Sequence, residues 1–155
     1  RLMVDGFILN NQLTDFAFLP AHEGETVANS VAANKRPRSS MAPTMVFDHL
    51  GNLRITIGSP GGSRIIGYVA QTLIGILDWD LDMQAAIDLP RHVNRNSATE
   101  LEKGTSLERL IPALKLMGHK ARTRALTSGL QGIRVSKKGL DGGADRRREG
   151  IFLGD

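Results

Sequence analysis

The 155-residue sequence contains no cysteine, which removes disulfide frameworks, thiolate metal sites and cysteine nucleophiles together. That absence suits any redox compartment and so places the protein in none. Aromatic residues make up only 5%, leaving few rings on which bases could stack. The net charge of +4 and a pI near 9.9 would suit a nucleic acid. The basic residues are dispersed, however, apart from Lys35-Arg36-Pro37-Arg38 and Arg146-Arg147-Arg148. Such dispersion describes an ordinary solvated surface, and no nucleic-acid partner is expected.

Long apolar runs are missing as well. The longest candidate, Ile65 to Leu77, is interrupted by Gly67, Gln71, Thr72 and Gly75 and falls short of the roughly 20 apolar residues a membrane helix needs. No membrane span is expected. His22, His49, His92 and His119 lie far apart with no pair at metal-ligand spacing, so no metal site is expected. Asp78-Trp79-Asp80-Leu81-Asp82 lacks the later glycine and terminal glutamate of a calcium loop and reads as a cap and turn. There is no Gly-x-Ser-x-Gly nucleophile elbow.

What is present is a chain of one-domain size, 41% hydrophobic and 23% charged. No internal repeat or linker divides it, and it reads as a single region, 1–155. Leu2 to Leu9 has the composition of a strand, with Gly6 as a bulge, and the polar stretch from Pro20 to Pro37 reads as a loop. Thr44–Phe47 and Leu53–Ile57 flank Asp48-His49-Leu50-Gly51-Asn52 as a hairpin. Apolar spacings of three and four predict a buried helix over Ile65–Leu77. Asp82 caps a second helix that Leu89-Pro90 stops near Asp88. A third begins at the capping-box spacing Thr105-Ser106-Leu107-Glu108 and ends at Gly118. Strands are expected at Ile133–Ser136, followed by a Lys137-Lys138-Gly139 turn, and at Gly150–Leu153. The pattern is an α+β or layered α/β arrangement.

Three segments could carry chemistry. Gly58-Ser59-Pro60-Gly61-Gly62-Ser63 joins a strand to a helix, where free backbone amides and the helix dipole suit a phosphate or a developing oxyanion. It also suits a plain strand-to-helix turn, and it lacks the Gly-Lys-Ser/Thr ending of a P-loop. Asn10-Asn11-Gln12-Leu13-Thr14-Asp15 follows the first strand and could hold an ammonium group, or serve as a turn. Ser39 and Ser40, between Pro37 and Pro43, could bind a carboxylate, or sit in a rigid loop leading into a strand.

Taken in order, Asn10-Asn11-Gln12-Leu13-Thr14-Asp15-Phe16, Asn34-Lys35-Arg36-Pro37-Arg38-Ser39-Ser40-Met41-Ala42-Pro43-Thr44 and Gly58-Ser59-Pro60-Gly61-Gly62-Ser63-Arg64-Ile65-Ile66 resemble the γ-glutamyltranspeptidase family. Asp88-Leu89-Pro90-Arg91-His92 and the stretch from Gly142 to Gly150 are similar to it too. The resemblance spans the whole chain. It implies an N-terminal-nucleophile hydrolase, an αββα sandwich made as a self-cleaving precursor, with this chain forming most of the small subunit. It implies γ-glutamyl transfer from glutathione-like substrates to water, amino acids or peptides through an acyl-enzyme, with no cofactor. The partner it implies is the large subunit, the upstream part of the same precursor.

On that resemblance, Gly61 and Gly62 donate the oxyanion-hole amides, Ser39 and Ser40 bind the glutamyl α-carboxylate, and Gln12 and Asp15 hold its α-amino group. The family's threonine nucleophile lies a few tens of residues before the Asn-Asn-Gln segment, whereas nine residues precede Asn10 here. The nucleophile and the large-subunit arginine that pairs with the carboxylate are therefore expected to lie outside the chain. Thr14, Thr26 and Thr44 have no free α-amine to replace that nucleophile, so this chain alone is expected to be inactive. Residues Pro20 to Asn34 look shorter than the lid loop of many relatives, which leaves room for larger acyl groups, as in the related cephalosporin acylases. The alternatives are thus an amide acylase of the cephalosporin or glutaryl type and a non-catalytic fragment. By family analogy the location is periplasmic or secreted.

Overall fold

The computed structural model describes residues 2–154. It forms two compact units that meet in sequence at Ser39 and Ser40.

In the first unit, β1 (Met3–Val4) pairs antiparallel with β2 (Phe7–Ile8). Asp5 and Gly6 between them take φ of 49° and 83°, the two positive values that a tight hairpin turn demands. The single strand with a bulge expected over Leu2 to Leu9 is therefore two short strands, because Asp-Gly turns the chain rather than bending it. Gln12–Asp15 makes one 3-10 turn. The stretch read as loop contains a second small hairpin, β3 (Ala21–His22) with β4 (Glu25–Thr26), turned by Glu23 and Gly24 at φ 51° and 82°. Phe16 is the buried apolar anchor of this unit. Asn29 acts as its strut: the amide Nδ2 donates to Asp15 O at 2.6 Å, and Oδ1 accepts from Arg38 N at 3.0 Å.

The second unit is built on a four-stranded antiparallel sheet. Its strands are β5 (Thr44–Phe47), β6 (Leu53–Gly58), β10 (Gln131–Ser136) and β11 (Gly139–Ala144), in the order β11-β10-β6-β5. Between β6 and β10 the chain forms α1 (Ile65–Leu77), α2 (Met83–Asp88), β7 (His92–Val93), β8 (Thr99–Glu102), α3 (Ile111–Leu116) and β9 (Ala121–Arg124). Strands β7, β8 and β9 make a second sheet, with β8 and β9 parallel. Ile55 and Ile57 point from β6 into a core shared with Tyr68, Val69 and Ile76 of α1 and Met83, Ala86 and Ile87 of α2. Period-2 alternation on β6 meets period-3.6 spacing on α1 there.

The expected hairpin, α1 and α2 are all present. Asp82 caps α2 by accepting from Ala85 N at 2.7 Å, and the helix ends before Pro90. The Thr105 cap differs in detail. Its hydroxyl accepts from Leu107 N at 3.4 Å, while Glu108 reaches back one residue further, to Gly104 N at 2.8 Å. The helix expected from there is split into a 3-10 segment, Ser106–Leu110, and α3, with Pro112 in the first turn of α3. One further strand assignment needs correction. Gly150–Leu153 forms no strand, and the last strand is the glycine-rich β11 instead. Side chains at its centre would not fit: a Cβ on Gly142 would lie 2.8 Å from the Phe152 ring, and one on Gly143 would lie 2.9 Å from Ile87 Cδ1. Close approach to neighbours selects residues that sequence propensity counts against a strand.

Candidate active site

Strand β6 ends at Gly58, and the chain turns through Ser59, Pro60, Gly61 and Gly62 into a 3-10 segment, Gly62–Arg64, that runs on into α1. Gly61 has φ 141° and ψ 7°, and Gly62 has φ 58°. Glycine takes positive φ at little steric cost, and a turn of this kind suits amides presented to an anion. Among the turn and cap hydrogen bonds of the described residues, neither amide donates to a backbone carbonyl. Gly61 is held from below: a Cβ there would meet Tyr68 Cε2 at 2.8 Å, and Tyr68 is itself buried. Gly62 has open space on that side. The other end of the turn is pinned by Gly129 N, which donates to Ser59 Oγ at 3.2 Å. A Cβ on Gly129 would lie 2.7 Å from Pro60 Cγ.

Beyond the glycines, Ser63 is fastened to the loop between β7 and β8, and Arg64 to β8 itself. Arg95 Nη1 donates to Ser63 Oγ at 2.6 Å, and Arg64 Nε donates to Glu100 Oε2 at 2.7 Å. Glu100 is 2% exposed and also receives Arg122 at 2.6 Å and Arg124 at 3.4 Å. The Arg64 hydrogen bond, then that of Arg122 and the charges of Arg64 and Arg124, overcome the opposing effect of burial and hold the Glu100 carboxyl down at about 2. A carboxyl lowered in the folded state stabilises the fold above its unfolded value and loses that contribution as pH falls toward the folded one. Stability to urea should therefore fall between about pH 5 and pH 2. Glu100→Gln should flatten that limb when midpoints are measured across the range.

The first unit carries a cleft of about 290 Å³ lined by Asn10, Gln12, Leu13, Arg36, Pro37 and Ser39. Asn10 organises its floor, donating to Gln12 Oε1 at 3.2 Å and accepting from Gln12 N at 2.7 Å. Gln12 and Ser39, two residues singled out in the sequence, thus share one cleft. Asp15 sits exposed at the end of the same 3-10 turn without lining it. Ser40 is half-buried in the next unit, and Gly61 and Gly62 form the turn described above. Arg36 brings a positive charge to the cleft wall. As a single residue in a basic run it gave no separate signal. Tyr68 and Glu100 were also missed: Tyr68 reads as core, and Glu100 gains meaning only once β8 and β9 are seen side by side.

The sequence model of γ-glutamyltranspeptidase matches residues 1–154. The chain belongs to the γ-glutamyltranspeptidase family. It is 37% identical over 153 residues to a glutathione hydrolase proenzyme of Bacillus subtilis, covering 96% of this chain and 25% of that protein. An acylase ACY 1 proenzyme of Pseudomonas sp. strain V22 is 32% identical over 147 residues, with 94% and 25% covered. Among solved structures, an acivicin-inhibited γ-glutamyltranspeptidase superposes with a TM-score of 0.79 at 33% identity, over 94% of this chain and 82% of that one. The fold is thus α+β, of the N-terminal-nucleophile hydrolase class. The chain spans about a quarter of the length of the curated proenzymes it matches. Among the described residues no helix is long and apolar enough to cross a membrane.

Membership of the γ-glutamyltranspeptidase family puts the two outlying motifs in context, and the structure gives them a physical task. Arg91, from Asp88-Leu89-Pro90-Arg91-His92, is fully buried, and its guanidinium donates to Thr72 Oγ1 at 3.1 Å and to Ile87 O. Burial, with the charge of Arg147 next, lowers it to about 10. Arg147, from the Gly142–Gly150 stretch, grips Glu102 through Nε at 2.6 Å and Nη2 at 2.9 Å and reaches Asp145 at 3.1 Å. Glu102 Oε2 also accepts from Arg91 N at 2.7 Å. Two arginines and two carboxylates thus close a charge-balanced knot joining α2, β8 and the end of β11. In this chain both motifs fasten the scaffold on which the diglycine turn stands.

Proposed function

We propose that this chain takes part in γ-glutamyl transfer and hydrolysis, cleaving γ-glutamyl amides such as glutathione through a γ-glutamyl-enzyme intermediate. The observation that carries the reading is the Gly61–Gly62 turn. Its two left-handed residues leave their amides free of turn and cap partners at the head of a 13-residue helix, the arrangement an acyl-transfer oxyanion requires. Gly61 and Gly62 donate to that oxyanion. Ser39 and Ser40 bind the substrate α-carboxylate, and Gln12 and Asp15 hold the α-ammonium. The cleft shared by Gln12, Arg36 and Ser39 supports the recognition of a small zwitterion. Donors there match a carboxylate, and the acidic Asp15 stands on the same turn as Gln12.

In this reading residues 1–155 form a single region, most of the small subunit. The threonine nucleophile and the larger partner part belong to the rest of a proenzyme, as the lengths of the bacterial proenzyme relatives suggest. The chain alone is inactive, no cofactor takes part, and the location is periplasmic or secreted. The acylase relatives support a second reading, an amide acylase with the same oxyanion turn and a different acyl group. One experiment separates the two. The assembled enzyme should hydrolyse γ-glutamyl-p-nitroanilide and leave the corresponding glutaryl anilide, which lacks the α-ammonium, nearly untouched. Asp15→Ala should raise KM for the γ-glutamyl substrate about tenfold or more, the usual scale for losing one charge-assisted contact. Equal turnover of both anilides, or an unchanged KM, would refute the zwitterion reading.

A further inference from the structure

We propose that Glu100 is a positioning residue that sets the aim of the Gly61–Gly62 amides through Arg64. The inference rests on the oxyanion role given to that turn. A two-glycine turn has little intrinsic rigidity, because glycine populates many backbone conformations at similar cost. Something outside the turn must fix it if its amides are to meet developing charge without reorganising. Tyr68 blocks one direction of movement beneath Gly61, and Gly129 holds Ser59. Both act at or before the first glycine. On the far side the chain is held by two side-chain bonds at consecutive residues, Arg95 to Ser63 at 2.6 Å and Arg64 to Glu100 at 2.7 Å.

Of these two bonds the second is the stiffer anchor. Arg64 is largely buried, with 17% of its side chain exposed, and Glu100 keeps only 3%. Arg122 and Arg124 hold Glu100 from the neighbouring strand β9. The carboxylate is therefore fixed by the second sheet before it fixes the turn, and its charge persists across the working pH range. Arg64 is the last residue of the 3-10 segment that opens at Gly62, so a shift of its guanidinium is passed along two peptide units to the glycine amides. An ordinary core ion pair would stabilise the fold without touching the reaction. This one stabilises it and also determines where two donors point.

The test is steady-state kinetics on the assembled enzyme, with active sites counted by the p-nitroaniline burst from γ-glutamyl-p-nitroanilide. Glu100→Gln should lower kcat per titrated site at least tenfold with KM changed less than twofold, since ground-state binding does not use the turn. Arg64→Lys, which keeps the charge but loses the planar donor, should behave the same way. Arg122→Gln, which loosens Glu100 but leaves its bond to Arg64 and its contact with Arg124, should lower kcat about threefold, well short of the Glu100→Gln loss. Should Glu100→Gln leave kcat per site unchanged while reducing only yield or Tm, the inference is overturned and the pair is structural. It is equally overturned if Arg122→Gln costs as much as Glu100→Gln, because the effect would then follow local charge rather than the turn. Gly61→Ala serves as the reference variant. If it too leaves kcat intact, the oxyanion reading itself fails; if it lowers kcat and Glu100→Gln does not, only the positioning claim is lost.

Discussion

Gly61→Ala should reduce kcat for γ-glutamyl anilide hydrolysis by about two to three orders of magnitude, the usual cost of losing an oxyanion-hole donor. The substitution leaves the amide in place, so the loss comes from geometry. At φ 141° an L-residue is strained wherever it sits, and its Cβ would stand 2.8 Å from Tyr68 Cε2. Tyr68 cannot retreat, being 1% exposed within the core that Ile55, Ile57 and Val69 share. The backbone must therefore move, and the two amides move with it. Gly62→Ala should cost less, because φ 58° is the left-handed region that other residues visit and nothing lies within 4 Å. KM should stay nearly constant for both variants. A Gly61→Ala enzyme of normal kcat per titrated site would show that the developing charge is stabilised elsewhere.

The second large effect is on stability. Glu102→Ala should destabilise the protein by about 3–5 kcal/mol, the range seen when one member of a buried ion pair is removed. It would strip Arg147 of a two-pronged partner and Arg91 N of its acceptor. Arg91 already carries one buried nitrogen, Nε, without a partner, so the knot has no spare acceptor to redistribute. Against a typical total of about 5–15 kcal/mol, such a loss removes a large share of the margin. Urea unfolding followed by circular dichroism would measure it, and a change below about 1 kcal/mol would mean that Asp145 and the Ile87 and Leu89 carbonyls satisfy Arg147 without Glu102. Glu102→Gln, which keeps an acceptor for the Arg91 amide, should fall between wild type and alanine.

Local signals carried much of this fold. Ile65, Val69, Leu73 and Ile76 at helical spacing, Asp82 before a helix and Pro90 after one are each read within a few residues of chain, and each element formed as read. The elements that were not legible are those whose reason lies far away in sequence. Strand β11, with three glycines in six residues, makes sense only when Ile87 and Phe152 press on it. Strands β8 and β9 are rich in charge, and Glu100, Arg122 and Arg124 look like surface until they are placed side by side. At the candidate site the same rule holds. The diglycine corner announces itself, whereas Tyr68, Gly129 and Glu100, which give that corner its shape, lie 7 to 68 residues further along the chain.

The bond between Gly129 and Ser59 joins positions 70 residues apart, and this sets a schedule for the newborn polypeptide. As it leaves the ribosome, β5 and β6 can zip into their hairpin at once, since closing a short loop costs little. The corner that follows them lacks its Gly129 brace until 70 residues beyond Ser59 have emerged. A product cut short before Gly129 would keep its hairpin but lack a finished corner.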